Sequence, residues 1–149
     1  MATPGRWAPT PADAATIPKE GNLLILAHAE SWERRFQISS LAASEAAAQR
    51  GVDIALFFAA LDAWTKDEWD RLDPSPPLSV EHIESLGMPS LESMLAGGRE
   101  EGRIRLYACS ASIRLLSLNT RTVQDRVDAI LGWQTFSRLI RGASSVVTL

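Results

Sequence analysis

The 149-residue sequence is poor in the residues that build disulfide frameworks and metal centres. It contains one cysteine and two histidines. A single cysteine excludes an internal disulfide, a paired-cysteine redox motif and a thiolate metal cage. The spacing of His28 and His82 matches no metal-binding motif. The sequence therefore predicts no metal site, and a reducing compartment suits it best.

Long apolar runs and a strong charge of one sign are also absent. No stretch reaches the length of a membrane-spanning helix, and the N-terminus lacks the basic and then apolar pattern of a secretory signal. The formal net charge of −3 provides no overall attraction to nucleic acid. These features predict a cytoplasmic protein with neither a membrane nor a nucleic-acid partner.

Three short motifs of enzyme sites are missing as well. The sequence has no GxxxxGK[ST] phosphate loop, no GxGxxG fingerprint and no GxSxG elbow. Their absence disfavours nucleotide binding, although flavin sites in related architectures need neither glycine motif. No cofactor is expected.

The chain divides into an arm and one domain. Residues 1–20 carry four prolines, and this density predicts a flexible or extended N-terminal arm. Residues 21–149 have the length of a single domain. Within them, residues 66–88 fit no regular pattern and are predicted to form an irregular insert, either a lid or interface loop or a solvated excursion.

Apolar runs alternate with helical patterns through the domain. Helices are predicted at 32–50 and 110–118, from Pro89 onward, and from Trp133 to about Gly142. The stretch 121–131 fits either a helix or a short strand, and Gly132 favours a strand at 127–131. Strands are predicted there and at 23–27, 52–58, 104–108 and 145–149. Four or five strands alternating with helices predict an α/β sandwich with a parallel sheet.

Cys109 lies where the strand 104–108 gives way to the helix 110–118. In a parallel sheet this junction is at the carboxyl end of a strand, where ligands usually bind. The positive end of the following helix favours the thiolate, which is the reactive form of cysteine. The alternative is that Cys109 is a small buried hydrophobe, as free cysteine often is.

Other polar and aromatic residues are predicted near the same edge, and each has an ordinary structural alternative. His28 could pair with Cys109 or be a plain polar residue, and Asp62 could bind a ligand or be solvated. Arg114 could stabilise a thiolate or a persulfide anion, or lie on the surface. The remaining candidates are Trp64, which follows the second strand, and Ser110 and Ser112, which are predicted to cap the helix after Cys109.

Several segments resemble the DsrE/DsrF-like proteins, small cytoplasmic domains linked to sulfur relay. The second strand ends in Phe57-Phe58, and Gly87-Met88-Pro89-Ser90-Leu91 precedes a helix. The most specific match is Tyr107-Ala108-Cys109 followed by Ser112. The resemblance covers about residues 21–149. Two departures are Ser110, where many members have glycine, and Ala59, where a threonine often follows the Phe-Phe pair.

This resemblance implies a flavodoxin-like three-layer sandwich and assembly into homo-oligomers. In the sulfur-relay members the matching cysteine accepts a persulfide sulfur and passes it on, and that role falls on Cys109. The sequence thus predicts a sulfurtransferase-like carrier with donor and acceptor partners, in which His28 and Arg114 are candidates for support.

The alternative is a non-catalytic oligomeric module that binds a small ligand or a protein. Its site would be the rim formed by His28, Asp62, Trp64 and Cys109. A thiol peroxidase is a third possibility, and the lack of a resolving cysteine argues against its usual form.

Overall fold

A computed structural model of the protein describes residues 21–28, 30–74 and 78–149. The predicted arm, residues 1–20, lies outside these described residues. Five strands form one sheet in the order β4-β3-β2-β1-β5, and every neighbouring pair is parallel. The strands are β1 (Leu23–Ala27), β2 (Val52–Leu56), β3 (Ile104–Cys109), β4 (Ala129–Leu131) and β5 (Ser145–Thr148). The predicted α/β class with a parallel sheet is confirmed, with five strands.

Seven helices connect these strands in the described part of the chain. They are α1 (Trp32–Ala47), α2 (Phe58–Thr65), α3 (Val80–Ser85), α4 (Leu91–Glu100), α5 (Ser110–Leu115), α6 (Thr120–Gln124) and α7 (Trp133–Gly142). Ser31 caps α1 through its hydroxyl, which accepts a hydrogen bond from Arg34 N at 3.3 Å. Capping side chains of this kind fix where a helix begins.

Several predicted boundaries and segments differ from the structure: the helices predicted at 32–50 and 110–118 end at Ala47 and Leu115, and the strand predicted at 127–131 begins at Ala129. The second strand ends at Leu56 rather than residue 58, because Phe58 already begins α2. Pro89 precedes the helix it was expected to open, since Ser90 is the cap of α4. The ambiguous stretch 121–131 contains both a helix and a strand, and the segment 66–88 contains the short helix α3.

The two faces of the sheet are covered differently. The larger apolar core lies on one face and includes Ile25, Ile54, Leu106 and helical residues from α1, α2 and α4. The smaller cluster lies on the other face and includes Cys109, with Phe136 and Leu139 of α7 as its buried helical members. Helices on both faces make the three-layer sandwich. Strands β1 to β4 are added one after another toward one edge of the sheet. The chain then crosses back through α7 and adds β5 at the other edge, next to β1. This crossover places α7 on the face opposite the larger core.

The segment after α2 is anchored to α1 and α4. Trp69 is buried, and its indole N–H donates to Ser39 Oγ at 2.9 Å. The Asp73 carboxylate accepts a hydrogen bond from the amide of Trp32 at 2.9 Å, and the Asp70 carboxylate accepts from the first amides of α4. The buried Arg35 guanidinium donates to the carbonyl of Arg71. Residues 69–73 are therefore a packed part of the domain rather than a solvated excursion.

Candidate functional site

Cys109 is the last residue of β3, and α5 begins at the next residue. The predicted strand-to-helix junction is confirmed. The thiol is free and only 1% exposed. It belongs to the smaller apolar cluster, beneath the face that α7 covers. Cys109 therefore lies at the carboxyl edge of the sheet but is shielded from solvent in this conformation.

The prediction that Ser110 and Ser112 cap the helix after Cys109 is wrong. Cys109 itself occupies the cap position of α5, and no side chain forms a capping hydrogen bond there. Ser112 is buried, and its hydroxyl oxygen instead accepts a hydrogen bond from the amide of Phe58 at 3.2 Å. Ser110 is the first residue of α5 and is half-buried. The thiol thus receives no hydrogen bond from the first turn of α5.

Phe58 has an unusual backbone and an unusual exposure. Its φ is +39°, in the left-handed region that large side chains rarely adopt. The residue is 46% exposed although it follows the apolar end of β2 after one residue, the buried Phe57. Strained residues of this kind persist where surrounding contacts hold them, and they cluster at functional sites. The hydrogen bond to Ser112 is one such contact, because it links the starts of α2 and α5.

Three aromatic rings form a cover over the edge near Cys109. Phe57 stacks on Trp133 with ring centroids 5.1 Å apart, and it also meets Phe136 at 5.1 Å. Phe57 and Phe136 belong to the same buried cluster as the thiol. Trp133 is 55% exposed. We call Phe57, Trp133 and Phe136 the aromatic cover.

His28 does not pair with Cys109 in this structure. His28 is exposed and follows β1, where its amide donates to the carbonyl of Leu149 at 2.9 Å. The register aligns Ala27 with Leu56 and Leu56 with Ala108, so Phe57 lies between His28 and Cys109 at the next step. The two residues are separated by two strand spacings, roughly 10 Å. A bulky ring fills that interval.

Asp62, Trp64 and Arg114 are not brought to the thiol either. Asp62 forms an ion pair with Lys66 at 2.9 Å on the surface of α2. Trp64 is buried in the larger core on the opposite face of the sheet, where its indole N–H donates to the carbonyl of Arg126 at 2.8 Å. Arg114 is exposed on α5. The rim predicted from His28, Asp62, Trp64 and Cys109 is thus not a single assembled site here.

Sequence reasoning missed a buried carboxyl on the same face as Cys109. Asp53 of β2 is 3% exposed and accepts a hydrogen bond from Asn22 Nδ2 at 3.2 Å. Within the described residues its Oδ1 atom has no hydrogen-bond partner. Burial raises the pKa of Asp53 to about 7, against the opposing effects of the Asn22 hydrogen bond, the charge of Arg105 and the hydrogen bond of Tyr107. The signal in the sequence was a charged residue inside the apolar strand Val52–Leu56.

Tyr107 is buried beside this carboxyl. Burial, followed by the charge of Asp53, raises the pKa of the Tyr107 hydroxyl well above its ordinary value. The face under α7 therefore combines an apolar end, at Cys109, with a polar end, at Asp53 and Tyr107. Burial favours the neutral forms of the side chains on this face of the sheet.

The described residues show neither a metal-binding cluster nor a membrane-spanning helix. In the residues that the structure describes, no group of three or more His, Cys, Asp or Glu side chains is placed to hold a metal ion. Over the same residues, no helix has the length and apolar character needed to cross a membrane.

Comparisons with known proteins add no family to this picture. No protein-family model matches the chain. No curated protein matches it either. The carboxyl edge thus combines a shielded thiol, an aromatic cover of which only Trp133 is exposed, and a strained Phe58.

Proposed function

We propose that the chain is a sulfur carrier in which Cys109 holds a persulfide. The observation that carries the proposal is the place of the thiol. Cys109 ends a strand at the carboxyl edge of a parallel sheet, where open α/β folds bind ligands. The resemblance of Tyr107-Ala108-Cys109 and Ser112 to sulfur-relay proteins points to the same residue.

The chemistry needs one thiol and no cofactor. The Cys109 thiolate attacks the outer sulfur of a donor persulfide, the S–S bond of the donor breaks, and the donor leaves as a thiolate. In the second step an acceptor thiolate attacks the outer sulfur on Cys109, which restores the Cys109 thiolate. The two exchanges are balanced without an external oxidant or reductant.

Burial of the thiol sets a condition on this mechanism. A donor reaches a sulfur that is 1% exposed only after the edge opens. Trp133 is the most exposed ring of the aromatic cover, and the cap residue of α7, Gly132, has no capping side chain. Displacement of the first turn of α7, which carries Trp133 and Phe136 of the aromatic cover, is the opening that sulfur transfer requires.

Intact mass spectrometry tests the carrier directly. The protein is exposed briefly to glutathione persulfide and then to a thiol acceptor. The carrier proposal expects one added sulfur atom on the wild type, its loss to the acceptor, and no adduct on Cys109→Ser. Ser110→Ala is the matched control and should behave as the wild type. The proposal would be rejected if the wild type gained no sulfur although iodoacetamide still modified its thiol.

A second candidate function is a non-catalytic binding module at the same edge. It is favoured by the combination of a shielded thiol with exposed rings, because Phe58 and Trp133 are 46% and 55% exposed at the carboxyl edge. This reading expects ligand binding to survive Cys109→Ala and to fail in Trp133→Ala. Isothermal titration calorimetry with the ligands found in a small-ligand screen measures both.

A further inference from the structure

The outward side of α7 is a continuous polar and aromatic surface. Five residues on it line an open depression, and we call them the α7 stripe: Trp133, Gln134, Ser137, Arg138 and Arg141. Their spacing places them on one side of the helix. The buried residues of α7 lie on the opposite side. No residue of the stripe is buried, and Trp133 touches the core through its ring contacts with Phe57 and Phe136.

The α7 stripe carries positive charge without compensation. Arg138 and Arg141 are exposed, and neither forms an ion pair within the described part of the chain. The one side-chain bond of Arg138 there runs to Thr135 Oγ1, at 3.3 Å. No acidic residue occurs after Asp128 in the sequence, although the whole chain has a net charge of −3. The five residues of the stripe include two arginines and no acidic residue, so the stripe itself is opposite in sign to the net charge of the chain.

An exposed tryptophan completes the surface. One side of the Trp133 ring stacks on Phe57, which holds it in place, and the residue remains 55% exposed. Tryptophan and arginine are enriched at protein interfaces and among the residues that dominate binding energy. A tryptophan held in place by a neighbouring ring loses little entropy when a partner covers it.

We propose that the α7 stripe is a docking surface for an acidic segment of a partner protein. The guanidinium groups of Arg138 and Arg141 suit carboxylates, which they bind through paired hydrogen bonds. Trp133 suits an apolar side chain of the same segment. From Trp133 to Arg141 the stripe runs about 12 Å along the helix, the length of roughly four extended residues. This elongated, open shape fits a peptide segment better than an enclosed small molecule, and the proposal is independent of chemistry at Cys109.

Fluorescence anisotropy with a labelled peptide tests the proposal. The probe is a fluorescein-labelled peptide of glutamate pairs separated by single leucines, and its control replaces each glutamate by glutamine. The wild type should bind the acidic peptide with an affinity that falls as salt rises, and it should bind the glutamine peptide at least about tenfold more weakly. The double variant Arg138→Glu/Arg141→Glu should lose the preference. Arg121→Glu, at an exposed position of α6, is the matched control and should keep the preference.

Four outcomes would overturn the proposal. The first is no binding of the acidic peptide at millimolar concentration, and the second is equal affinity for the two peptides. The third is unchanged affinity in the double variant, with Arg138→Gln/Arg141→Gln serving as the milder test if the charge reversal alters the circular dichroism spectrum. The fourth is a concentration-dependent rise in mass by light scattering that the double variant abolishes, since this would assign the stripe to a second copy of the chain.

Discussion

Replacing Asp53 by asparagine should make the stability of the protein less sensitive to pH. Asp53 is 3% exposed on the α7 side of the sheet, and one of its oxygens lacks a hydrogen-bond partner among the described residues. Ionising such a group in the folded state requires charge to be buried without full compensation. Asparagine keeps the size of the side chain and an oxygen that accepts from Asn22, but it does not titrate.

The sign of the effect follows from the direction of the pKa shift. Burial raises the pKa of Asp53 from 3.8 to about 7 in the folded state. The folded protein therefore binds the proton more tightly than the unfolded chain, and this contribution to stability is complete below the unfolded value. It is lost as the pH rises through the folded value. A shift of about 3 units corresponds to about 4 kcal/mol in total.

The measurable quantity is the change between two pH values. Between about pH 5 and pH 8 the wild type should lose about 3 kcal/mol of unfolding free energy relative to Asp53→Asn. An unpaired amide hydrogen in the variant would lower its free energy of unfolding by about 1–3 kcal/mol. This cost is the same at both pH values and therefore cancels in the difference.

Urea denaturation followed by tryptophan fluorescence measures the free energy of unfolding at each pH. Asp62→Asn is the matched control, because Asp62 is an ion-paired carboxylate on the surface, and its pH profile should parallel that of the wild type. Parallel profiles of wild type and Asp53→Asn across this range would show that Asp53 is not a buried carboxyl with a raised pKa.

Three further predictions concern the carboxyl edge. Trp133→Ala should speed the reaction of Cys109 with Ellman's reagent by about tenfold, because one stacked ring of the aromatic cover is lost. Gln134→Ala is the control, and an equal rate in the two variants would contradict the role of the aromatic cover. Ser112→Ala should lower the free energy of unfolding by about 1 kcal/mol, since the amide of Phe58 loses its acceptor, and Ser110→Ala should have a smaller effect. Phe58→Gly should be more stable than Phe58→Ala by about 1 kcal/mol in urea denaturation, because glycine tolerates positive φ; equal stabilities would mean that the backbone at Phe58 is unstrained.

Much of the sheet was predictable because its signals are local. Residues 23–27 and 145–149 form apolar or β-branched runs bounded by turn residues, and both are strands. The stretch 121–131 was harder, since it holds a five-residue helix and a three-residue strand, and neither is long enough to establish a period. The packing of 69–73 was not predictable, because Asp73 and Trp69 bond to residues 41 and 30 positions away.

In the candidate site, too, local properties were predictable from the sequence and properties set by distant residues were not. Position at the strand end is a local property, and it was predicted correctly for Cys109. Burial is not local, because residues on both faces of β3 are buried and only Arg105 breaks the run, so the strand offers no alternation to show which residues lie under a helix. Trp64 follows the carboxyl edge in sequence but turns into the opposite core. Ser112 was predicted as a cap, whereas its partner is Phe58, 54 residues earlier.

Cys109 and Asp53 lie on one face of the sheet, and this suggests a test of how that face opens. If α7 lifts as one unit, ionisation of Asp53 should make opening easier, and Cys109 should become more reactive as the pH rises through about 7. Any other pH dependence of the reaction with the reagent is shared by wild type and Asp53→Asn. The ratio of their rates with Ellman's reagent therefore isolates the opening, and the single cysteine makes the reagent report on Cys109 alone. A ratio that rises with pH supports opening as a unit, whereas a constant ratio means that the first turn of α7 opens by itself.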